Sequence, residues 1–425
     1  MIGRLFAKLI YLLGICLVNP KIFEHYRNLK KSEFFSDREL DELQLRKLRK
    51  LLKHAKDTCP FYSKTLRDVD VESITLQSLS SVPILTKEDL RGYADQIYSS
   101  VYQRSDLIKS ETSGSTGDAF IFYRDRDWDA AHRGAITRGI EQHGLKPWDR
   151  NLYLWGFIFD NKSKIKIRLL DFLQNRFRIF QINEQELSQN LSRIKDVRFI
   201  SGYSSVIDRL VQLIEDSGTS MPNLLMLKGT SEKIFDSYQI RAKRVLGIPI
   251  VSEYGAAETG IISYTCPEGT NHTIRENVIV ECVDGRAVIT NLNSFSMPII
   301  RFDLGDYIEL ETVKCNCGRH SQAVKDILGR VGTFIYGRSQ NYPTLTLYYI
   351  FKDLALSHNT SLSYQGVQNV KGELQLMIFD DLAKLDVDQI LTTCKKYLPD
   401  VEVEIVQGIF EDRKNKIKDF VSNIT

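Results

Sequence analysis

Apolar residues recur at helical spacing between positions 40 and 55. Leu40, Leu43, Leu48, Leu51, Leu52 and Ala55 mark one face of a helix. Ser36 and Glu39, three apart, form a capping-box pattern at its start, and Thr58-Cys59-Pro60 ends it. From there to about residue 327, short apolar runs alternate with helical patterns. The runs at 152–157, 197–200, 224–227 and 248–251 predict buried strands of an α/β domain. Apolar stretches at 278–283 and 287–290 flank Asp284-Gly285-Arg286, which predicts a β-hairpin. The last ~95 residues read differently by the same pattern. They predict a helix over 345–356, two strands meeting at Lys371-Gly372, a helix over 387–398 and a strand over 401–406. The expected architecture is α/β, with a large multi-sheet N-terminal domain over 1–328 and a small α+β domain over 329–425. A linker with three glycines at 329–337 joins them.

The N-terminus poses its own question. Arg4 and Lys8 precede an apolar run at 9–18, too short to span a bilayer. Asn19, Pro20 and Lys21 follow where a signal peptide would carry small residues. The favoured expectation is an amphipathic helix packed on the protein's own surface through Leu5, Leu9, Leu12, Leu13 and Leu17. The alternative is a helix lying on a membrane surface through residues 1–18.

Composition narrows the class. With 43% hydrophobic and 26% charged residues, the 425-residue chain is that of an ordinary globular protein. Lys and Arg number 57 against 54 Asp and Glu, which leaves no electrostatic footprint for nucleic acid. Seven cysteines in a long chain do not suggest a secreted disulfide framework. The expected compartment is the reducing cytoplasm, with the inner face of the membrane as the alternative.

Five segments carry candidate chemistry. Thr112-Ser113-Gly114-Ser115-Thr116-Gly117 packs hydroxyls and glycines as a phosphate-wrapping loop would, since glycine lets backbone N–H groups point inward. It lacks the Gly-Lys-Ser/Thr ending of a Walker loop, and a flexible turn explains it nearly as well. In Glu253-Tyr254-Gly255-Ala256-Ala257-Glu258-Thr259-Gly260, Glu258 is placed to hold Mg²⁺ on a loop after a buried strand, and Tyr254 to stack on a base. A strand-end turn with a solvated Glu258 is the alternative. Asp306, in Arg301-Phe302-Asp303-Leu304-Gly305-Asp306, would accept hydrogen bonds from ribose hydroxyls, or belong to a charged turn. Gly329-Arg330 opens the linker. Lys416 lies in the basic segment 413–418, which by composition reads as a solvated face.

The order and spacing of these segments resemble the adenylate-forming superfamily of acyl-CoA synthetases, peptide-synthetase adenylation domains and luciferases. The resemblance is closest to the phenylacetate–CoA ligase-like and CapK-like branch of capsular polysaccharide biosynthesis. It extends over LRKLLKHAKDTCPFY, VPILTKED, TSGSTG, GYSS, GTSEKI, YGAAETG, MPIIRFDLGD, CNCGR and LGR. It implies ATP-dependent activation of a small carboxylic acid as an acyl-adenylate, then acyl transfer to CoA or to an amine or hydroxyl acceptor such as a sugar. Thr112 to Gly117 would wrap the phosphates, Tyr254 and Gly255 would sit by the adenine, and Glu258 would hold Mg²⁺. Asp306 would bind ribose, and Arg330 would lie near ribose and phosphate at the hinge. Lys416 would be the C-terminal lysine that stabilises the adenylation transition state, carried in by a mobile small domain. Three positions depart from the pattern. Asp118-Ala119 stands where proline is usual, Val331-Gly332-Thr333 where a hinge acid is, and Asn415 where a glycine precedes the lysine. The alternative functions are a non-catalytic nucleotide-binding protein and a peripheral membrane assembly factor.

Cys315-X-Cys317 is too tight for an ordinary disulfide and suits two thiolates on one ion. Cys266 and His272 lie upstream, five residues between them, and would complete a Cys₃His zinc site; relatives with the same CxCGR segment imply one too. Scattered reduced cysteines are the alternative.

Overall fold

The computed structural model describes residues 3–112, 120–154, 161–179, 184–330, 334–358, 362–409 and 419–424. The chain divides into two compact units that do not follow the linear order. One contains residues 1–8, 148–252 and 327–425; the other contains 9–147 and 253–326.

In the first unit, parallel strands Arg176–Ile179, Asn151–Leu154, Phe199–Tyr203 and Met226–Thr230 lie side by side in that order. Three of them are apolar runs predicted from sequence, their ends displaced by one to three residues; Arg176–Ile179 was not predicted, and the fourth predicted run is the strand Ile250–Ala256. Helices Ser204–Ser217 and Asp236–Leu246 follow two of the strands and end on Gly218 and Gly247 in left-handed caps. Residues 364–368, 373–378, 402–407 and 420–422 form a four-stranded sheet with helices Leu345–His358 and Val387–Tyr397. This is the predicted α+β unit with one added strand, Phe420–Ser422, which runs parallel to Tyr364–Gln368. Its core is continuous with that of the parallel strands. Phe235 meets Tyr364 edge-on at 5.1 Å, and Arg241 bridges Asp208 to Asp380. The first residues of the expected linker are strand, because His320–Arg330 runs through Gly329.

The second unit is mostly antiparallel. The helix Asp37–Thr58 carries the predicted capping box and buries Leu40, Leu48, Leu51, Leu52 and Ala55. Gln44 is buried beside them, donating to the Val278 carbonyl at 2.7 Å. The hairpin of Val278–Val283 and Arg286–Asn291 turns on Asp284-Gly285, as predicted. His54 is structural, bonded through Nε2 to the Phe295 carbonyl at 2.9 Å.

The N-terminal expectation needs correction. Arg4–Val18 is a helix, yet only Ala7 is buried along it. Leu5, Leu9, Leu13 and Leu17, four apart on one line of the helix, are 52–84% exposed, and Leu12 is half-buried. The stripe was expected to face the protein; most of it faces solvent.

Candidate active site

The site assembles in the second unit from segments far apart in sequence. Glu253 to Ala256 end a strand, Ile250–Ala256, and residues 257–259 turn into the strand Gly260–Thr265. The motif expected as a loop beyond a strand is therefore a strand end and a tight hairpin. Its register slips between Tyr254 and Gly255. A Cβ at Gly255 would stand 2.3 Å from the Gly260 carbonyl oxygen, so no larger residue fits the bulge.

Two predicted residues meet directly. The Tyr254 hydroxyl donates to Asp306 Oδ2 at 3.0 Å, and both side chains are buried. Asp306 sits in the strand Phe302–Lys314, where the pairing with Arg286–Asn291 is irregular and Gly305 adopts φ +77°. Asp306 thus meets a tyrosine whose strand lies four places away in the order of the sheet. Glu258 is half-buried in the hairpin turn, and Asn291 Nδ2 donates to its carbonyl oxygen at 3.3 Å. Asn291 N also donates to the Ile299 carbonyl at 2.9 Å, tying the Glu258 turn to the start of the Asp306 segment.

The phosphate-loop candidate begins on a hairpin. Strands Ile108–Glu111 and Ile121–Arg124 pair antiparallel, and Thr112 closes their open end with bonds from its N–H to the Phe120 carbonyl and from Phe120 N–H to Thr112 Oγ1. Ser113, Gly114, Ser115, Thr116 and Gly117 lie outside the described residues. The hairpin's far end is clamped to the Asp306 segment: Asp125 accepts from Ser296 N at 3.0 Å, and Ser296 Oγ accepts from Asp125 N at 3.0 Å. Thus Thr112, Tyr254, Glu258 and Asp306 belong to one hydrogen-bonded framework. Arg330 is the last residue of the strand His320–Arg330, in the other unit, and Lys416 lies outside the described residues.

Sequence reasoning gave Arg301 no role, yet it organises this framework. Its φ is +46°, a left-handed conformation that costs a non-glycine residue roughly 1–3 kcal/mol. Its guanidinium is buried, donating to Glu281 Oε2 at 3.0 Å and to the Ser80 and Val82 carbonyls. Its own carbonyl accepts from Leu85 N, and Asp303 N donates to the Leu85 carbonyl, both at 2.9 Å. The VPIL segment and the RFD segment are therefore one structure. A lone arginine closing an apolar run was the signal available.

The four metal candidates also converge. The ligand atoms of Cys266, His272, Cys315 and Cys317 all lie within 4.8 Å of one another. Cys266 and Cys315 sulfurs are 3.7 Å apart, and Cys317 Sγ is 3.3 Å from His272 Nε2. A tetrahedral ion with bonds of about 2.3 Å to sulfur requires sulfur–sulfur edges of about 3.8 Å. Cys266 and Cys315 each open a tight turn, Gly269 N donating to the Cys266 carbonyl and Gly318 N to that of Cys315. Burial pushes His272 down to about 4, which leaves its imidazole neutral at pH 7 and able to ligate.

No protein-family model matches the chain. Among curated proteins, it is 23% identical over 336 residues to protein CapK of Staphylococcus aureus, covering 75% of this chain and 74% of that protein. It is 22% identical over 336 residues to phenylacetate–coenzyme A ligase of Thermus thermophilus, covering 72% and 74%. Among solved structures, 2-hydroxyisobutyryl-CoA ligase in the postadenylation state with R3-HIB-AMP superposes with TM-score 0.69 at 16% identity, over 92% of this chain and 91% of that one. In sequence the chain is thus similar to CapK and to a phenylacetate–CoA ligase, and it shares its fold with an acyl-CoA ligase.

Proposed function

We propose that this protein activates a carboxylic acid with ATP as an acyl-adenylate and then transfers the acyl group to CoA or to an amine or hydroxyl acceptor. The observation that carries this reading is the Tyr254–Asp306 pair, built into the same framework as Glu258 and the root of the phosphate loop. A buried carboxylate oriented by a phenol is a rigid acceptor for vicinal ribose hydroxyls. Glu258, on a turn held through its own carbonyl, would hold Mg²⁺, which supplies charge neutralisation to the triphosphate. Adenylation requires the acid's oxygen to attack the α-phosphorus while pyrophosphate leaves. The charge developing there is what Thr112 to Gly117 and Lys416 would stabilise. The acyl carbonyl is then attacked by the acceptor's sulfur, nitrogen or oxygen, with AMP as leaving group.

The acceptor in surface-polysaccharide assembly is the finer reading, and the similarity to CapK is its support. Zinc, held by Cys266, His272, Cys315 and Cys317, would pin two turns together without entering the reaction. ATP–pyrophosphate exchange against a library of acids tests the first half-reaction. CoA, hydroxylamine and amino sugars offered to the best acid test the second. Absence of acid-dependent exchange across the library would favour a nucleotide-binding role without catalysis.

A further inference from the structure

In the first unit, the helix Asn161–Leu173 presents Ile165, Leu169 and Phe172 at 56–70% exposure. Their spacing of four and three puts them on one face. Its sequence carries Lys162, Lys164, Lys166 and Arg168 against one acid, Asp171, which points inward to a bidentate pair with Arg178 at 2.7 and 2.9 Å. Arg168 and Phe172 line a cleft of about 870 Å³. Arg150, Arg176, Arg178 and Arg193 line it too, and among the described residues the acids that line it are Asp171 and Glu186. Burial first, then the neighbouring Arg193, push Arg150 below the usual arginine range, with Asp196 acting against them.

The same surface continues into the chain's first residues. The end of the helix is fixed to the Trp148–Asn151 segment: Asn175 Nδ2 donates to the Trp148 carbonyl at 3.2 Å, and Asn151 N to the Asn175 carbonyl at 3.3 Å. Arg4 pairs with Asp149 of that segment at 2.7 Å, and Lys8 stands 5.9 Å over the Trp148 ring. Leu5 and Phe6, between these two cations, are 73% and 58% exposed. Residues 1–8 contain no acid. The chain's first residues and the end of the helix are thus both anchored to one segment, which also carries Arg150 of the cleft.

We infer that this face of the first unit docks on the surface of a bilayer rich in anionic phospholipid. Ile165, Leu169, Phe172, Leu5 and Phe6 enter the acyl boundary, and the cleft arginines take lipid phosphates. Charge selects this occupant. A second copy would bring the same excess of cations against itself, whereas anionic headgroups neutralise it. Durable attachment to a bilayer takes two signals, and here one is apolar and one cationic. No single helix among the described residues is long and apolar enough to cross a membrane; Arg4–Val18 passes that test only together with Lys21–Lys31, from which it is bent by 110°.

The test is co-sedimentation of the full chain with phosphatidylcholine vesicles, with and without phosphatidylglycerol, at low and high salt. Binding should require phosphatidylglycerol and weaken as salt rises. The paired change Leu169→Ser and Phe172→Ser should lower vesicle affinity by about tenfold or more, as should Leu5→Ser with Phe6→Ser. Both variants replace exposed side chains, so melting temperature and pyrophosphate exchange should stay at the parent values. That separates this inference from the proposed reaction. No vesicle binding by the parent protein would overturn it. So would binding of inorganic phosphate alone, or a dimer that the same variants dissolve while vesicles are ignored.

Discussion

The phenol of Tyr254 holds the carboxylate of Asp306 across 52 positions of sequence, and it does so within a buried framework. If Asp306 is the ribose acceptor, Asp306→Ala should raise the KM for ATP by roughly 10–100-fold, the scale of a hydrogen bond to a charged group. Tyr254→Phe keeps the carboxylate and loses only its orientation, so its effect should be smaller and in the same direction. Steady-state exchange kinetics at varied ATP measure both. Equal KM values in the parent and both variants would remove nucleotide binding from this pair.

Glu258→Ala should abolish most Mg²⁺-dependent exchange while leaving the fold intact, because the turn is held through the residue's carbonyl oxygen and not its side chain alone. Glu258→Gln should behave like the alanine change, since a neutral amide is a poor ligand for a hard cation. Titrating Mg²⁺ in each variant checks this. Unchanged exchange would sink the assignment.

Protein purified without added metal should contain one zinc per chain by elemental analysis. Cys317→Ser should lose it. A strong chelator should lower the melting temperature of the parent protein and leave that variant unmoved, since structural zinc contributes directly to folding free energy. A metal-free parent of equal stability would refute the site.

Lys416→Ala should leave ATP binding near the parent value and slow adenylation by roughly 10²–10³, the cost of one preorganised transition-state group. Transfer from pre-formed acyl-adenylate should survive. The downstream strand Phe420–Ser422 fixes the chain four residues beyond this lysine against Tyr364–Gln368. Equal loss in both steps would instead indicate a shared binding role. Pre-steady-state rates of each half-reaction separate the two outcomes.

What could be read from sequence was what local chemistry decides. The capping box at Ser36 and the Asp284-Gly285 turn fix their elements within a few residues of themselves. Tyr254 and Asp306 could be singled out by pattern, but their contact depends on the bulge at Gly255 and the bend at Gly305. Neither has a periodic signature. The bridge between Leu85 and Phe302 was also hidden, because nothing near either residue names the other. At the N-terminus the four-residue spacing of leucines correctly gave a helix. Periodicity says that a stripe exists, not that the protein has a face to cover it, and Leu5 to Leu17 stand largely in solvent.

The clasp at Arg301 has a consequence for how the chain is made. Leu85, Ser80 and Val82 leave the ribosome long before Arg301 does, and so do the other partners of the 253–326 segment, such as Tyr62, whose hydroxyl waits for the Pro298 carbonyl. Translation at about 5–20 residues per second leaves residues 9–147 without their second half for about 10–35 seconds. The intervening stretch, 148–252, meanwhile has its own adjacent parallel strands to pair. Synthesis thus lays down the first part of one body, then about half of another, before the first can close. Gln44, on the helix that carries Leu48 and Leu52, must wait through that interval for the Val278 carbonyl, and this is the window in which a holding chaperone would act on yield.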